Sequence, residues 1–411
     1  MKNQKIYLDY AATTPVDKEV FSEIKPYFSE EFGNAMSIHS FGQRALAAVD
    51  KARERAARFF NTTPYEIIFT SGATEANNLA VKGVVRSYHS QKKRSHKPHI
   101  ITTSFEHHCV LHACKSVEKE GLAEVTYVRP GRDGIIKTAD IKRAIRPNTI
   151  LVSVMYVNNE IGTAQPIAEI SKMLEAINMS RGAKKDTFKI IFHTDATQAI
   201  NYFNCDVEKL GVDLMSMSAH KIYGPKGVGL LYIRKGTPIR QIKQGGDQEY
   251  KMRAGTHNVP GIVGLGKAIE LVAKNARKET PRIKKMRDYL IGRVLKEIPK
   301  SKLNGSKSKR SPNNANFTFE DVEGEGLILS LDIEGVAGST GSACSSGALT
   351  PSHVLLSIGL KPEEAHGSLR MTLGRYTTQK EINSAVTKLK SVIERLRKIS
   401  GHVLDDFYSK K

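Results

Sequence analysis

Cysteine is scarce in this chain. Four occur in 411 residues, and no two are spaced as a Cys-x-x-Cys pair. That excludes a disulfide framework and argues against an all-protein zinc site. No uninterrupted apolar run approaches the length of a membrane span. The opening Met-Lys-Asn-Gln-Lys-Ile-Tyr-Leu-Asp has no apolar core of a secretory signal. The expectation is a chain in the reducing cytoplasm, away from the membrane. Acid is also in short supply, with 42 Asp and Glu against 63 Lys and Arg, a net charge of +21. Such an excess invites a nucleic-acid reading. Yet segments 91–97, 181–189 and 300–310 together hold 12 of those 21 charges, and none interleaves aromatics with its cations as a base-stacking platform would. They read as solvated loops, and a tRNA contact stays open only as an added role.

What is present is the composition of a globular protein, 40% hydrophobic and 26% charged. The length favours two domains. Short apolar runs at 66–70, 99–103, 124–128, 149–157, 189–195 and 227–233 alternate with helical spacing, as at 73–85. Strands alternating with helices predict an α/β fold around a doubly wound, mainly parallel sheet. From residue 261 the texture changes. A long amphipathic helix is predicted over 262–275 and then 280–297, followed by strands over 316–319 and 326–331 and helices over 351–358 and 378–398. This part reads as a smaller α+β domain. The expected division is a large domain of residues 15–260 and a small one of residues 1–14 and 261–411.

In open α/β sheets ligands sit beyond the carboxyl ends of the strands, and several polar groups fall at such ends. Lys221 ends the apolar run Asp213-Leu-Met-Ser-Met-Ser-Ala-His-Lys and opens a glycine-rich turn. It is either a surface lysine at a strand end or a desolvated amine able to form a Schiff base. Thr70-Ser-Gly-Ala-Thr-Glu ends one strand and opens a helix, so Thr74 and free N–H groups there offer a phosphate cradle or a plain cap. Asp195 ends Ile-Ile-Phe-His-Thr-Asp, with Gln198 close by. It is an N-cap or the partner of a protonated ring nitrogen. Asn158-Asn159-Glu160 ends another strand. His107 lies at the same rim and suits ring stacking and proton transfer. Cradle, ring partner, stacking ring and Schiff-base lysine together make the parts list of a pyridoxal phosphate site, which predicts amino-acid chemistry through a carbanion.

Cys344 narrows the reaction. It lies in Gly335-Val-Ala-Gly-Ser-Thr-Gly-Ser-Ala-Cys-Ser-Ser-Gly, and loop 335–350 is expected to be mobile. No Lys or Arg lies between Gly335 and Ser352, so the thiol is expected to be activated only on docking, by groups such as His107. Cys109 is the second-choice nucleophile. Core packing is the default for Cys109 and Cys114, and Cys205 reads as structural.

With these residues the sequence resembles the cysteine desulfurases, pyridoxal phosphate enzymes of the class V aminotransferase type. The resemblance rests on Tyr7-Leu-Asp-Tyr-Ala-Ala-Thr-Thr-Pro, Phe69-Thr-Ser-Gly-Ala-Thr-Glu-Ala-Asn-Asn, Glu106-His107, Val157-Asn-Asn-Glu-Ile-Gly, His193-Thr-Asp-Ala-Thr-Gln and Ser218-Ala-His-Lys-Ile-Tyr-Gly-Pro-Lys-Gly. Ser342-Ala-Cys-Ser-Ser is similar to the long catalytic loop of the nitrogenase and housekeeping iron–sulfur branch. The resemblance implies fold type I, with Lys221 carrying the cofactor, Ala73, Thr74, Ser218 and His220 on its phosphate, His107 on its ring, Asp195 at its nitrogen, and Asn158 and Gln198 at its substituents. Thr256 would reach the phosphate of a second subunit in a homodimer. Arg370, with Asn158, would bind the substrate. The implied reaction converts L-cysteine to L-alanine and leaves a persulfide on Cys344. Iron–sulfur scaffold proteins and tRNA-thiolation relays are the implied acceptors. No intrinsic metal is expected, and Cys344 is a candidate transient ligand of a cluster on a scaffold partner. The alternative is a selenocysteine lyase or another class V enzyme. The chain departs from the pattern at Ala35-Met36, at Tyr156 and in the basic loops.

Overall fold

The computed structural model describes residues 5–91, 96–182, 188–340 and 350–409. Its strands are β1 (Ile6–Tyr7), β2 (Ile67–Thr70), β3 (His99–Thr103), β4 (Glu124–Val128), β5 (Thr149–Ser153), β6 (Ile191–Asp195), β7 (Leu214–Ser218), β8 (Gly229–Ile233), β9 (Ser301–Leu303), β10 (Asn314–Phe319), β11 (Val336–Ala337) and β12 (Ser368–Thr372). Seven of them form the main sheet in the order β2-β8-β7-β6-β5-β3-β4. Only β8 runs against its neighbours, β2 and β7, while the pairings among β3 to β7 are parallel. The carboxyl ends of β2, β3, β5, β6 and β7 therefore share one edge, where Lys221, His107, Asp195 and the turn after Thr70 were expected to meet.

The strands are buried on both faces because helices cover both. Phe69, Ile101, Val152, Phe192, Met215 and Tyr232 pack on one side, against helices Ser40–Phe60 and Val259–Glu297. Their sequence neighbours Ile68, Ile100, Leu151, Ile191, Leu214 and Leu231 pack on the other, against helices Ala73–His89 and His108–Lys119. A third core gathers Ile283, Leu290, Phe317, Leu369 and Leu389 around the antiparallel sheet β12-β10-β9. The N-terminal β1 joins this region by pairing in parallel with β11.

The structure bears out the one long helix and corrects two expectations. The long helix runs unbroken over Val259–Glu297, with Pro281 inside it. The proline forfeits one intrahelical bond, but Leu265 and Ile269 are held in one core and Ile283 and Leu290 in another. The predicted strand over 326–331 is helix Gly324–Ile333, capped by Glu323, whose carboxylate accepts from the N–H groups of Glu325 and Gly326. Its apolar residues follow a helical stripe: Leu327 and Leu331, four apart, are buried, whereas Leu329 and Ile333 are 65% and 79% exposed. Finally, the basic segments are not wholly solvated. Arg310 is buried and donates to the carbonyls of Ser306 and Ile161. Arg181 donates to the carbonyls of Thr149 and Phe188. Residues 92–95 and 183–187 of those segments lie outside the described residues.

Candidate active site

A cavity of about 590 Å³ opens at the carboxyl edge of the main sheet. Ala73, Thr74, His107, Asp195, Gln198, Ser218, His220, Lys221 and Arg370 all line it. Residues from Ala73 to Lys221 share one wall because β2, β3, β6 and β7 end there in parallel, and Arg370 reaches the cavity from β12.

At one end, β2 turns through Ser71-Gly72 into helix Ala73–His89. Gly72 carries a φ of +151°, a conformation that L side chains rarely adopt. The first N–H groups of a helix have no intrahelical acceptor and face outward with the positive end of the dipole. Ser218 and His220 flank this turn from the end of β7. Burial, then the charges of Lys221 and Lys226, push His220 down to about 4, so its ring is neutral and free to hydrogen-bond. Its Nδ1 lies 3.1 Å from Thr13 Oγ1.

Lys221 closes the short turn after β7. Its Nζ donates to the carbonyls of Ala11 and Ala12, each at 2.6 Å, and Gln198 Nε2 donates to Ala11 O at 3.0 Å. The segment before Thr13 therefore aims the amine. The sequence marks this segment as part of a motif but assigns Ala11 and Ala12 no role, since backbone carbonyls leave no trace in side-chain patterns.

Asp195 sits at the end of β6 and is 5% exposed. Its Oδ2 accepts from Asn77 Nδ2 at 2.7 Å and its Oδ1 from Thr197 N at 2.9 Å. Among the described residues it has no ion-pair partner. A nearly buried carboxylate that faces a cavity with only neutral donors calls for a cation there, and a protonated ring nitrogen meets that demand. With the N–H cradle at one end and an amine between, the residues fit pyridoxal phosphate. Asn77 was another omission of the sequence reading. It lies one helical turn beyond Ala73, and that spacing was the available signal.

His107 caps helix His108–Lys119, its Nδ1 accepting from Cys109 N at 3.2 Å. Burial holds its pKa below the usual histidine value, with Asp195 opposing and Lys221 adding to the effect. Cys109 Sγ lies 2.9 Å from the same Nδ1, but burial, then the Asp195 charge, push that thiol up to about 12. Burial and this shift weigh against Cys109, the second-choice nucleophile.

Two expected site residues stand apart. Asn158 spends its polar atoms on backbone, donating to Phe105 O at 2.9 Å and accepting from the N–H groups of Glu160 and Ile161; its neighbours Val157 and Asn159 line the cavity instead. Thr256 is exposed and lies outside the lining. Cys344 lies outside the described residues.

The sequence profile of the class-V aminotransferases matches residues 6–384. The chain belongs to this family. Its relatives place it in the cysteine desulfurase group: the cysteine desulfurase IscS of Dictyoglomus turgidum is 51% identical over 97% of each chain. The human cysteine desulfurase is 44% identical over 96% of this chain and 83% of its own. Among solved structures, a NifS-like protein superposes with a TM-score of 0.86 at 34% identity, over 95% of this chain and all of the other. SspA in complex with cysteine superposes with a TM-score of 0.77 at 36% identity, over 91% of this chain and 100% of the other. The protein is accordingly a cysteine desulfurase of fold type I, and its cofactor is pyridoxal phosphate. Among the described residues no helix is long and apolar enough to cross a membrane.

Proposed function

We propose that this enzyme takes the sulfur of L-cysteine onto Cys344 as a persulfide, releases L-alanine and passes the sulfur to an iron–sulfur scaffold protein, working as a homodimer in the cytoplasm. The observation that carries the reading is the convergence of Lys221, Asp195 and the Gly72–Glu75 turn on one cavity. The structure named SspA in complex with cysteine supports the choice of substrate.

Bound in this cavity, the cofactor supplies a sink for the electron pair left when the substrate Cα loses its proton. Ala73, Thr74, Ser218 and His220 hold its phosphate, and Asp195 holds the proton of its ring nitrogen. Thr256 of one protomer completes the phosphate site of its partner. Lys221, once freed by substrate, is the base for the Cα proton. His107, kept neutral by burial, accepts the proton of the docking Cys344 thiol; the thiolate attacks the substrate sulfur, the S–S bond forms as the Cβ–S bond breaks, and the carbon skeleton keeps that electron pair, takes up a proton and leaves as alanine. Arg370 binds the substrate carboxylate, sharing its guanidinium with Asp9 and Asn159 O, each now 2.8 Å away.

The test is a reaction of the pure protein with L-cysteine, followed by mass mapping of the persulfide. Cys344→Ala is expected to keep the visible absorbance of bound cofactor and lose the persulfide. Alanine and sulfide release from that variant at the wild-type rate would overturn the assignment.

A further inference from the structure

Glu75 is a carboxylate in the first turn of the helix that opens the phosphate cradle, and it lines the cavity. A negative charge there repels a bound phosphate. Yet Glu75 is half-buried and ionised: burial works against its charge, but the hydrogen bonds from Arg253 and Ser71 outweigh burial and lower its pKa. Arg253 is the reason. Its Nε and Nη2 meet the two oxygens of Glu75 at 2.9 and 3.3 Å, in a bidentate fork. Glu75 Oε2 in turn accepts from Ser71 N at 2.7 Å.

Arg253 is itself held by an unusual piece of backbone. Glu249, Tyr250 and Lys251 carry φ values of 48°, 55° and 66°. Three consecutive left-handed non-glycine residues persist only where the surroundings over-determine them. Here the anchor is the buried Glu249 carboxylate. It accepts from both terminal nitrogens of Arg53 at 2.8 Å, from Phe69 N at 2.8 Å and meets His257 Nε2 at 3.0 Å. Loop 249–257 is thereby pinned to the end of β2 at Phe69, two residues before the Ser71 N–H that Glu75 takes.

We infer that Arg253 is a charge-compensating and positioning residue of the phosphate cradle, neutralising Glu75, and that the Arg53–Glu249–His257 cluster exists to hold it there. The inference rests on the cradle reading of Gly72–Glu75. It gives Arg253 a role on its own protomer's cradle, three residues before the Thr256 proposed to act on the partner's.

The test is the dissociation constant of pyridoxal phosphate. Enzyme freed of cofactor is re-titrated and followed by visible absorbance, with the ³¹P resonance of the bound phosphate as a second readout. Arg253→Gln is expected to weaken binding by roughly tenfold, the scale of one uncompensated, partly buried charge. Saturating cofactor should restore its kcat and its KM for cysteine. Glu75→Gln is expected to bind as tightly as wild type or more so, and Glu75→Gln/Arg253→Gln to recover most of the loss. A merely structural prop predicts the reverse: both single variants loosen binding and the double is no better, which would overturn the inference. Thr74→Ala serves as the control. If it weakens binding while Arg253→Gln does not, the inference fails and the cradle stands. If neither changes binding, the cradle reading fails with it.

Discussion

Asn77 donates from Nδ2 to Asp195 Oδ2 at 2.7 Å, fully buried beneath the cavity. The same nitrogen lies 3.0 Å from Cys109 Sγ. This contact fixes the orientation of the carboxylate proposed to face the ring nitrogen of the cofactor. Asn77→Ala is expected to cost about 1–3 kcal/mol of stability, because Asp195 loses a donor where water does not replace it. It should also loosen the hold on the ring nitrogen and shift the visible band of the bound cofactor. Denaturant unfolding and absorbance spectra check the two effects. An unchanged spectrum would mean that Thr197 N alone sets the carboxylate.

Thiol reactivity should single out one cysteine. Cys109, Cys114 and Cys205 are all buried. Burial pushes Cys109 and Cys205 up to about 12 and raises Cys114 well above the usual thiol range. The thiolate is the reactive form, so the folded enzyme is expected to take one equivalent of iodoacetamide near neutral pH, on Cys344. Peptide mapping after brief labelling reads this directly, and Cys344→Ser should take none. Labelling of Cys109 in step with Cys344 would restore Cys109 as a competing nucleophile.

Lys221→Ala should remove the covalent tie to the cofactor. The expected result is loss of the visible band and loss of cofactor on dialysis, with the fold intact. Melting of the variant without cofactor should match that of wild type without cofactor, because the Nζ contacts to Ala11 and Ala12 are to backbone at a partly buried site.

The strand ends were legible because each carries a polar residue after an apolar run, as in Ile190-Ile-Phe-His-Thr-Asp195 and Met215-Ser-Met-Ser218 before Lys221. A doubly wound sheet brings such ends together whatever their separation in sequence. The contacts between elements left no such mark. Arg253 meeting Glu75 and Ala11 meeting Lys221 follow from packing rather than spacing. Gly326-Leu-Ile-Leu-Ser-Leu331 misread as a strand for a related reason. A short apolar run does not reveal its period, and the deciding feature was the Glu323 cap. Asn158 matched a motif, but the turn after it claims its side chain for the N–H groups of Glu160 and Ile161.

Glu106 gives a pH signature with a definite sign. Its side chain is fully buried; Oε1 accepts from Thr103 Oγ1 and Met155 N at 2.8 Å each, and Oε2 has no hydrogen-bond partner among the described residues. Burial pushes this carboxyl up to about 8 from an ordinary value of 4.5. Between those two values the folded chain keeps a proton that the unfolded chain has released. Stability therefore falls as pH rises through that window, by up to about 1.4 kcal/mol per pH unit, and the loss levels off above it. Glu160, pushed by burial to about 7, adds a slope of the same sign. The neutral histidines His99, His193 and His220, lowered to about 4, act in the opposite direction between there and 6.5. A direct stability curve mixes these terms, so the measurement is a difference. Glu106→Gln keeps a neutral oxygen acceptor for Thr103 and Met155 and cannot ionise. Its stability relative to wild type is expected to grow steadily from about pH 5 to about pH 8 and then stay constant. Histidine and Glu160 contributions cancel in that difference, so a flat line would show that Glu106 ionises in the folded enzyme as readily as in the unfolded chain.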